Sequence, residues 1–289
     1  IIGEYSMLRK VLVGEARNAG VKTIAVQHGV LYDSHPGYTF PSGVCSNIKP
    51  DYIFVHGEAY VKALEEIGYA KDTKPVCMGH PSRAQPIKTK HKESRGSTQS
   101  KVVVITSQPM ARWRIRAALL QDAPTDVKRF LASNVRCIVK PHPNYEKKGN
   151  FYSIRSDSYP FKSFEVAKED SDTVSLLSKA DLHISHNSTC IQEAMALGTP
   201  SIELLDPPQP YSFHRNFGHM LPDDAVHPTN EKSMLSDIVI MLNKYSDNDD
   251  AIDRLKKSGE LFAGKLDIEG ALNSIGSQEI TTARQKRAK

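Results

Sequence analysis

Two short stretches carry residue types suited to phosphate chemistry. The first is His186-Asn187-Ser188-Thr189, set between an apolar run (Leu182–Ser185) and a helix-forming run (Cys190–Leu197). A strand that feeds Ser and Thr into a helix start leaves free N–H groups and the positive end of the helix dipole at the turn. The Ser188 and Thr189 hydroxyls are placed to cap that helix or to touch the same anion, with Ser185 and Asn187 beside them. The anion expected is the phosphate or diphosphate of a nucleotide. Glu193, about one turn further on, is near enough to accept hydrogen bonds from a ribose. The second stretch is Lys140-Pro141-His142-Pro143. Its prolines fix φ and remove two N–H donors, so the turn is stiff and holds His142 at a strand tip. An imidazole there can donate to a phosphate oxygen and help a phosphate leaving group depart. Lys140 adds positive charge.

Plainer roles fit the same residues. Any βαβ unit has a capped helix after a strand, and Gly198-Thr199-Pro200 is ordinary helix-stop chemistry. His142 alone also fits a satisfied turn histidine. What favours chemistry is the number of polar strand ends: Gln27-His28-Gly29, His56-Gly57, Gly79-His80, Ser107-Gln108, Lys140/His142 and Ser185–Thr189. His28 would face the cleft from the side opposite His142 and touch acceptor or donor phosphates, or else bond a loop carbonyl as a buried histidine. His28, His142, His183 and His186 invite a metal reading, but no HxxxH spacing with a carboxylate appears, so no metal is expected. A G-x-S-x-G elbow, a Walker loop and a GxGxxG fingerprint are all missing, and no cofactor is expected.

The elements that must position these residues alternate. Apolar runs at Lys22–Val26, Pro50–Val55, Lys74–Met78, Val102–Ile105, Cys137–Lys140, Leu182–Ser185 and Ser201–Leu205 read as strands. Helical spacing covers Leu8–Ala19, Glu58–Ile67, Met110–Leu120, Pro124–Leu131, Thr173–Lys179, Glu231–Lys244 and Ala251–Lys265, with a weaker piece at Asp267–Ser277. This rhythm predicts an α/β protein with parallel sheets. Arg83–Ser100 is polar and basic and reads as a linker. The expected domains are 1–82, a partial first Rossmann-like domain on the acceptor side, and 101–289, a second Rossmann-like domain for the nucleotide donor. The C-terminal helices are expected to pack back near the first. Two such domains would face a cleft at the carboxyl ends of their strands.

Composition narrows the class. Of 289 residues 39% are hydrophobic and 25% charged, as in an ordinary globular protein. No apolar run approaches the ~20 residues of a membrane span. Four scattered cysteines without a CxxC pair argue against a disulfide framework and make the cytoplasm the default. The net charge of +5 concentrates in Lys88–Arg95 and Arg284–Lys289, with no aromatics interleaved, so nucleic acid is not an expected partner. Weak peripheral attraction to the inner, anionic face of a membrane fits those runs. The first residue is Ile, and a trimmed or partial N-terminus is expected.

Taken together the motifs resemble a family. Strand-QHG, PDYIFVHG with a downstream GHPS, strand-TSQP, VKPHP and SLLSKADLHISHNSTCIQEAMALGTPSIEL look like bacterial surface-polysaccharide glycosyltransferases of the GT-B fold. Within these the chain is most similar to the capsule-synthesis, polysialyltransferase and CDP-glycerol glycerophosphotransferase group. The resemblance covers roughly Thr23 to Leu205. It implies metal-independent transfer from a nucleotide-activated sugar donor to a growing glycan or lipid-linked acceptor. By match, His142, Ser188, Thr189 and Glu193 meet the donor, and the catalytic base lies in the first domain. Two alternatives stand beside it: a UDP-sugar 2-epimerase-like enzyme, and a non-catalytic nucleotide- or glycan-binding remnant.

Overall fold

A computed structural model describes residues 7–31, 38, 48–84, 100–108, 111–143, 150–153, 158–205, 212–222 and 225–276. The chain divides into two compact units, one holding residues up to Ile87 and again from Glu260, the other Lys88–Gly259. Most of the expected linker lies outside the described residues.

In the first unit α1 (Met7–Asn18) leads to β1 (Ile24–Val26), β2 (Tyr52–Val55), α2 (Glu58–Glu66) and β3 (Lys74–Cys77). The strands pair in parallel in the order β1-β2-β3. Central β2 is buried at all four positions, which is why it reads as the unbroken apolar run YIFV. Asp51 pins its start, accepting from the Thr23 N–H at 2.9 Å and the Thr23 hydroxyl at 3.0 Å. Pro75 sits in β3, an edge strand, where a missing N–H is tolerated.

The second domain was expected to run to residue 289, but from Glu260 the chain belongs to the first unit. The cause is a backbone ladder. Gly264 N–H donates to His56 O at 3.0 Å, His80 N–H to Gly264 O at 2.9 Å, and Asp267 N–H to Met78 O at 2.7 Å. Residues 268–276 are helical, and Ala271 packs on Phe54 and Met78. This approach leaves no room for a side chain at Gly79: a Cβ there would lie 2.0 Å from Lys265 O.

The second unit runs β4 (Lys101–Thr106), α3 (Arg112–Leu119), α4 (Thr125–Asn134), β5 (Val135–Lys140), α5 (Asn150–Ser153), β6 (Ser163–Val166), α6 (Thr173–Leu177), β7 (Leu182–Ser185), α7 (Cys190–Ala196), β8 (Ser201–Leu204), α8 (Phe213–Phe217), β9 (Val226–Thr229) and α9 (Met234–Lys244). The boundary between units falls inside α10 (Asp249–Phe262). Its six strands are all parallel, in the order β6-β5-β4-β7-β8-β9. The chain thus fills the sheet outward from β4 in one direction and then from β7 in the other, as doubly wound nucleotide-binding sheets do. β6 and β9 were not anticipated. Both are edge strands: β6 leaves Glu165 exposed, and β9 carries Pro228, so neither shows the apolar run of a buried strand. Among the described residues no helix is long and apolar enough to cross a membrane.

Gly79 has φ of +86° as well as no space, whereas Gly20 has φ of +73° with nothing within 4 Å of a Cβ. Gly79→Ala should therefore cost roughly 3 kcal/mol or more, since strain and overpacking each cost ~1–3 kcal/mol. Gly20→Ala should cost only the ~1–2 kcal/mol of a left-handed residue. Urea unfolding of the two variants checks this, and equal losses would mean that the residue 265 backbone yields.

Candidate functional site

A cavity of about 460 Å³ opens in the second unit at the carboxyl ends of β4, β5, β6 and β7. Its place follows from topology. The connections after β4 and β7 leave these adjacent strands for opposite halves of the sheet, and the gap between them is the crevice. The lining comprises Thr106–Gln108, Lys140–Pro143, Glu169, Ser171–Val174, Ser188–Cys190 and Glu193.

One hydroxyl joins the two sides of that gap. Ser188 Oγ accepts from Gln108 Nε2 at 3.1 Å and from the Cys190 N–H at 3.2 Å. Ser188 therefore caps the short helix α7, while Thr189 makes no side-chain capping bond. His142 lies half-buried between its two prolines on the same wall.

Other expected residues take different roles. Lys140 lines the cavity but is only 5% exposed, and its ammonium donates to Glu169 O at 2.6 Å and Lys168 O at 3.2 Å. It braces the turn after β6, where free charge for a phosphate was expected. Ser185 does not line the cavity. Fully buried, its Oγ donates to Thr106 O at 3.0 Å and accepts from Thr106 Oγ1 at 2.8 Å. Asn187 also lies off the lining, with a left-handed φ of 39°. Its N–H donates to Glu203 Oε1 at 3.2 Å, and its Oδ1 is buried and, among the described residues, has no hydrogen-bond partner.

A buried network underlies the β4 tip. Since the Thr106 hydroxyl donates to Ser185, His183 Nε2, 2.8 Å from Thr106 Oγ1, must carry the proton and donate. His183 Nδ1 then accepts from Ser201 Oγ at 3.0 Å. Burial pushes this imidazole down to about 3, in keeping with a neutral ring.

His28 sits in the first unit, exposed, directly after β1. Beside it Gln27 accepts from the His56 N–H at 2.8 Å and donates to Gly29 O at 2.8 Å. His56 and His80 follow β2 and β3, with ring centroids 4.3 Å apart and edge to face. Burial pushes His56 down to about 3, helped by His80 and His28 nearby, and His80 down to about 4, helped by Arg83. Among the described residues no three His, Cys, Asp or Glu side chains gather as metal ligands would.

Sequence reasoning missed the wall from Glu169 to Val174 and the carboxylate of Glu203. Asp172 accepts from the Ser175 N–H at 2.7 Å and so caps α6, a pattern its position before Thr173 could have signalled. Glu203 is 1% exposed. Besides Asn187, it accepts from the Phe213 N–H at 2.8 Å, the Ser212 hydroxyl at 2.9 Å and the His214 N–H at 2.8 Å.

No described protein family and no curated protein matches the sequence. Solved structures do match in fold. A Listeria monocytogenes protein described as a UDP-N-acetylglucosamine 2-epimerase superposes with a TM-score of 0.58 at 14% identity, over 92% of this chain and 69% of that one. S. aureus MnaA, solved with UDP, gives 0.57 at 13%, over 98% and 74%. The wall teichoic acid polymerase TagF soaked with CDPG gives 0.52 at 12%, over 93% and 69%. The chain has the Rossmann-like α/β architecture of these GT-B proteins.

The buried neutral histidines give a pH dependence with a definite sign. Their folded values lie below the ordinary 6.5, so the unfolded chain binds more protons and acid favours unfolding. Stability should be full above about pH 6.5 and fall as pH drops toward 4, by up to ~1.4 kcal/mol per pH unit for each imidazole. Urea titrations from pH 7.5 to 4 measure it, and a flat profile would mean that the rings are solvated.

Proposed function

We propose that the chain is a metal-independent glycosyltransferase or glycerophosphotransferase of GT-B type. It takes a sugar-type group from a nucleotide-activated donor and passes it to a growing surface polysaccharide or lipid-linked glycan. The observation that carries this reading is the convergence of Ser107, Gln108, His142, Ser188 and Thr189 on one cavity at the switch point of a doubly wound sheet. Support also comes from fold neighbours solved with UDP and CDPG.

Charge orients the donor. The lining carries three carboxylates, Glu169, Asp172 and Glu193. A diphosphate belongs away from Glu169 and Asp172, against His142, Gln108 and Thr189, which offer hydrogen-bond donors. Glu193 is suited to ribose hydroxyls, and the wall from Glu169 to Val174 to the base. In this arrangement His142 donates to the leaving phosphate, lowering the barrier to its departure. His28, from the first unit, remains the candidate for the acceptor side.

A second reading, UDP-sugar 2-epimerisation, draws on the same carboxylates, since acid and base groups are what that chemistry needs. Incubation with CDP-, UDP- and GDP-activated sugars, followed by NMR of the products, separates transfer to an added glycan from isomerisation of the donor.

Nucleotide at a hundredfold excess over its Kd should raise unfolding free energy by about 2.7 kcal/mol. His142→Ala should lower kcat by about a hundredfold with little loss of Tm. Turnover equal to the parent protein at saturating donor would reduce His142 to a turn residue.

A further inference from the structure

Lys140 is a buried cation at the tip of β5. An ammonium taken out of water needs acceptors, and this one has two consecutive backbone carbonyls, those of Lys168 and Glu169. Successive carbonyls of an extended strand point opposite ways, so two that converge on one cation require a bend. The bend is a turn closed by the Ser171 N–H, which donates to Lys168 O at 3.1 Å. Before it, Ala167 N–H donates to Val139 O at 2.8 Å, so the chain enters the turn still laid along β5. After it, the Asp172 cap starts α6. Turn and cap together carry Glu169 and Ser171–Val174 onto the cavity lining.

Lys140 therefore ties two walls of the cavity together. Its backbone runs on into Pro141-His142-Pro143, and its ammonium holds the turn that opens the wall from Glu169 to Val174.

We propose that Lys140 is a positioning residue that sets the donor's nucleobase preference, by fixing how far the Glu169–Val174 wall stands from His142. The proposal rests on the donor reading above and adds the residue that determines its specificity. Telling one base from another requires polar groups held to within about 0.5 Å, which a surface turn achieves only when it is pinned. A compact point charge with three donors gathers carbonyls as a bound cation does, where the planar fork of an arginine would not. Direct contact with phosphate is the competing role. It fits less well, because two of the three ammonium protons are already committed to the turn.

Calorimetry of the full chain with CMP, CDP, UMP, UDP, GMP and GDP separates the two. The parent chain should prefer one base. Lys140→Met, which keeps most of the side chain but donates nothing, should weaken the preferred nucleotide about ten- to a hundredfold. It should bring the other bases level with it, and cost the mono- and diphosphate of one base the same factor. Far-UV circular dichroism and Tm check the fold. Lys140→Gln, whose amide can still hold one carbonyl, should give the same pattern at smaller amplitude and serves if the methionine variant does not fold. A penalty equal across bases and larger for diphosphates would overturn the proposal in favour of phosphate contact. A lowered Tm with the base preference intact would overturn it and leave Lys140 as a brace of the fold. A parent chain that binds nucleotides without preference would overturn it alone, whereas one that binds none of them would sink the donor reading and this inference with it.

Discussion

The pairing of β4 with both β5 and β7 is the constraint on which the rest depends. A parallel strand must be followed by a crossover, and the crossovers from β4 and β7 depart for opposite edges of the sheet. The carboxyl ends of these two strands are therefore left uncovered by any connection between them. Ser107 and Gln108 lie at one lip of the opening and Ser188 at the other, and the Gln108–Ser188 hydrogen bond spans it. Nothing else in the fold would bring residues 80 positions apart in sequence into one site.

Because polar side chains from several strand ends line the crevice, the strand tips beneath it are polar too, without being left unsatisfied. Thr106, Ser185, His183 and Ser201 achieve this as a closed chain of donors and acceptors. A buried hydroxyl or imidazole with no partner would cost about 1–3 kcal/mol. With each proton assigned, the chain leaves the Thr106 side chain a single orientation. Ser185 is thus structural for a chemical reason: its hydroxyl is consumed one layer below the surface.

Much of this was legible in the sequence. Strands that are buried on both faces, such as β2, β4 and β7, appear as unbroken apolar runs, and the turns after them stand out as polar. The block from β7 through α7 to β8 was read to within one residue at each end. The edge strands β6 and β9 were not legible, because neither is an unbroken buried run: β6 has no fully buried position, and Pro228 in β9 argues against a ladder. The packing of the C-terminal helices against the first unit was expected, but residues from 260 on were counted with the second domain, since a backbone ladder between Gly264, His56 and His80 leaves no mark in side-chain pattern. At the candidate site, residue types pointed to the right turns but not to the partners. A lysine beside a proline turn looks like a free cation until the Lys168 and Glu169 carbonyls are seen to hold it.

Glu203 shows how far such hidden partners reach. An ionised carboxylate with 1% exposure would be prohibitively costly alone. Here each oxygen accepts two hydrogen bonds, three from backbone N–H groups and one from Ser212. Backbone donors are fixed dipoles, so the two buried oxygens are satisfied by the chain itself. Those donors come from the turn at Asn187 and the start of α8, segments that do not otherwise explain each other's position. Asn187 takes a positive φ, a conformation asparagine tolerates better than most other non-glycine residues. The next residue is Ser188, which bridges the crevice. The carboxylate at the end of β8 is therefore what fixes the register of the turn, and through the turn the placing of the hydroxyl that joins the two lips of the cavity.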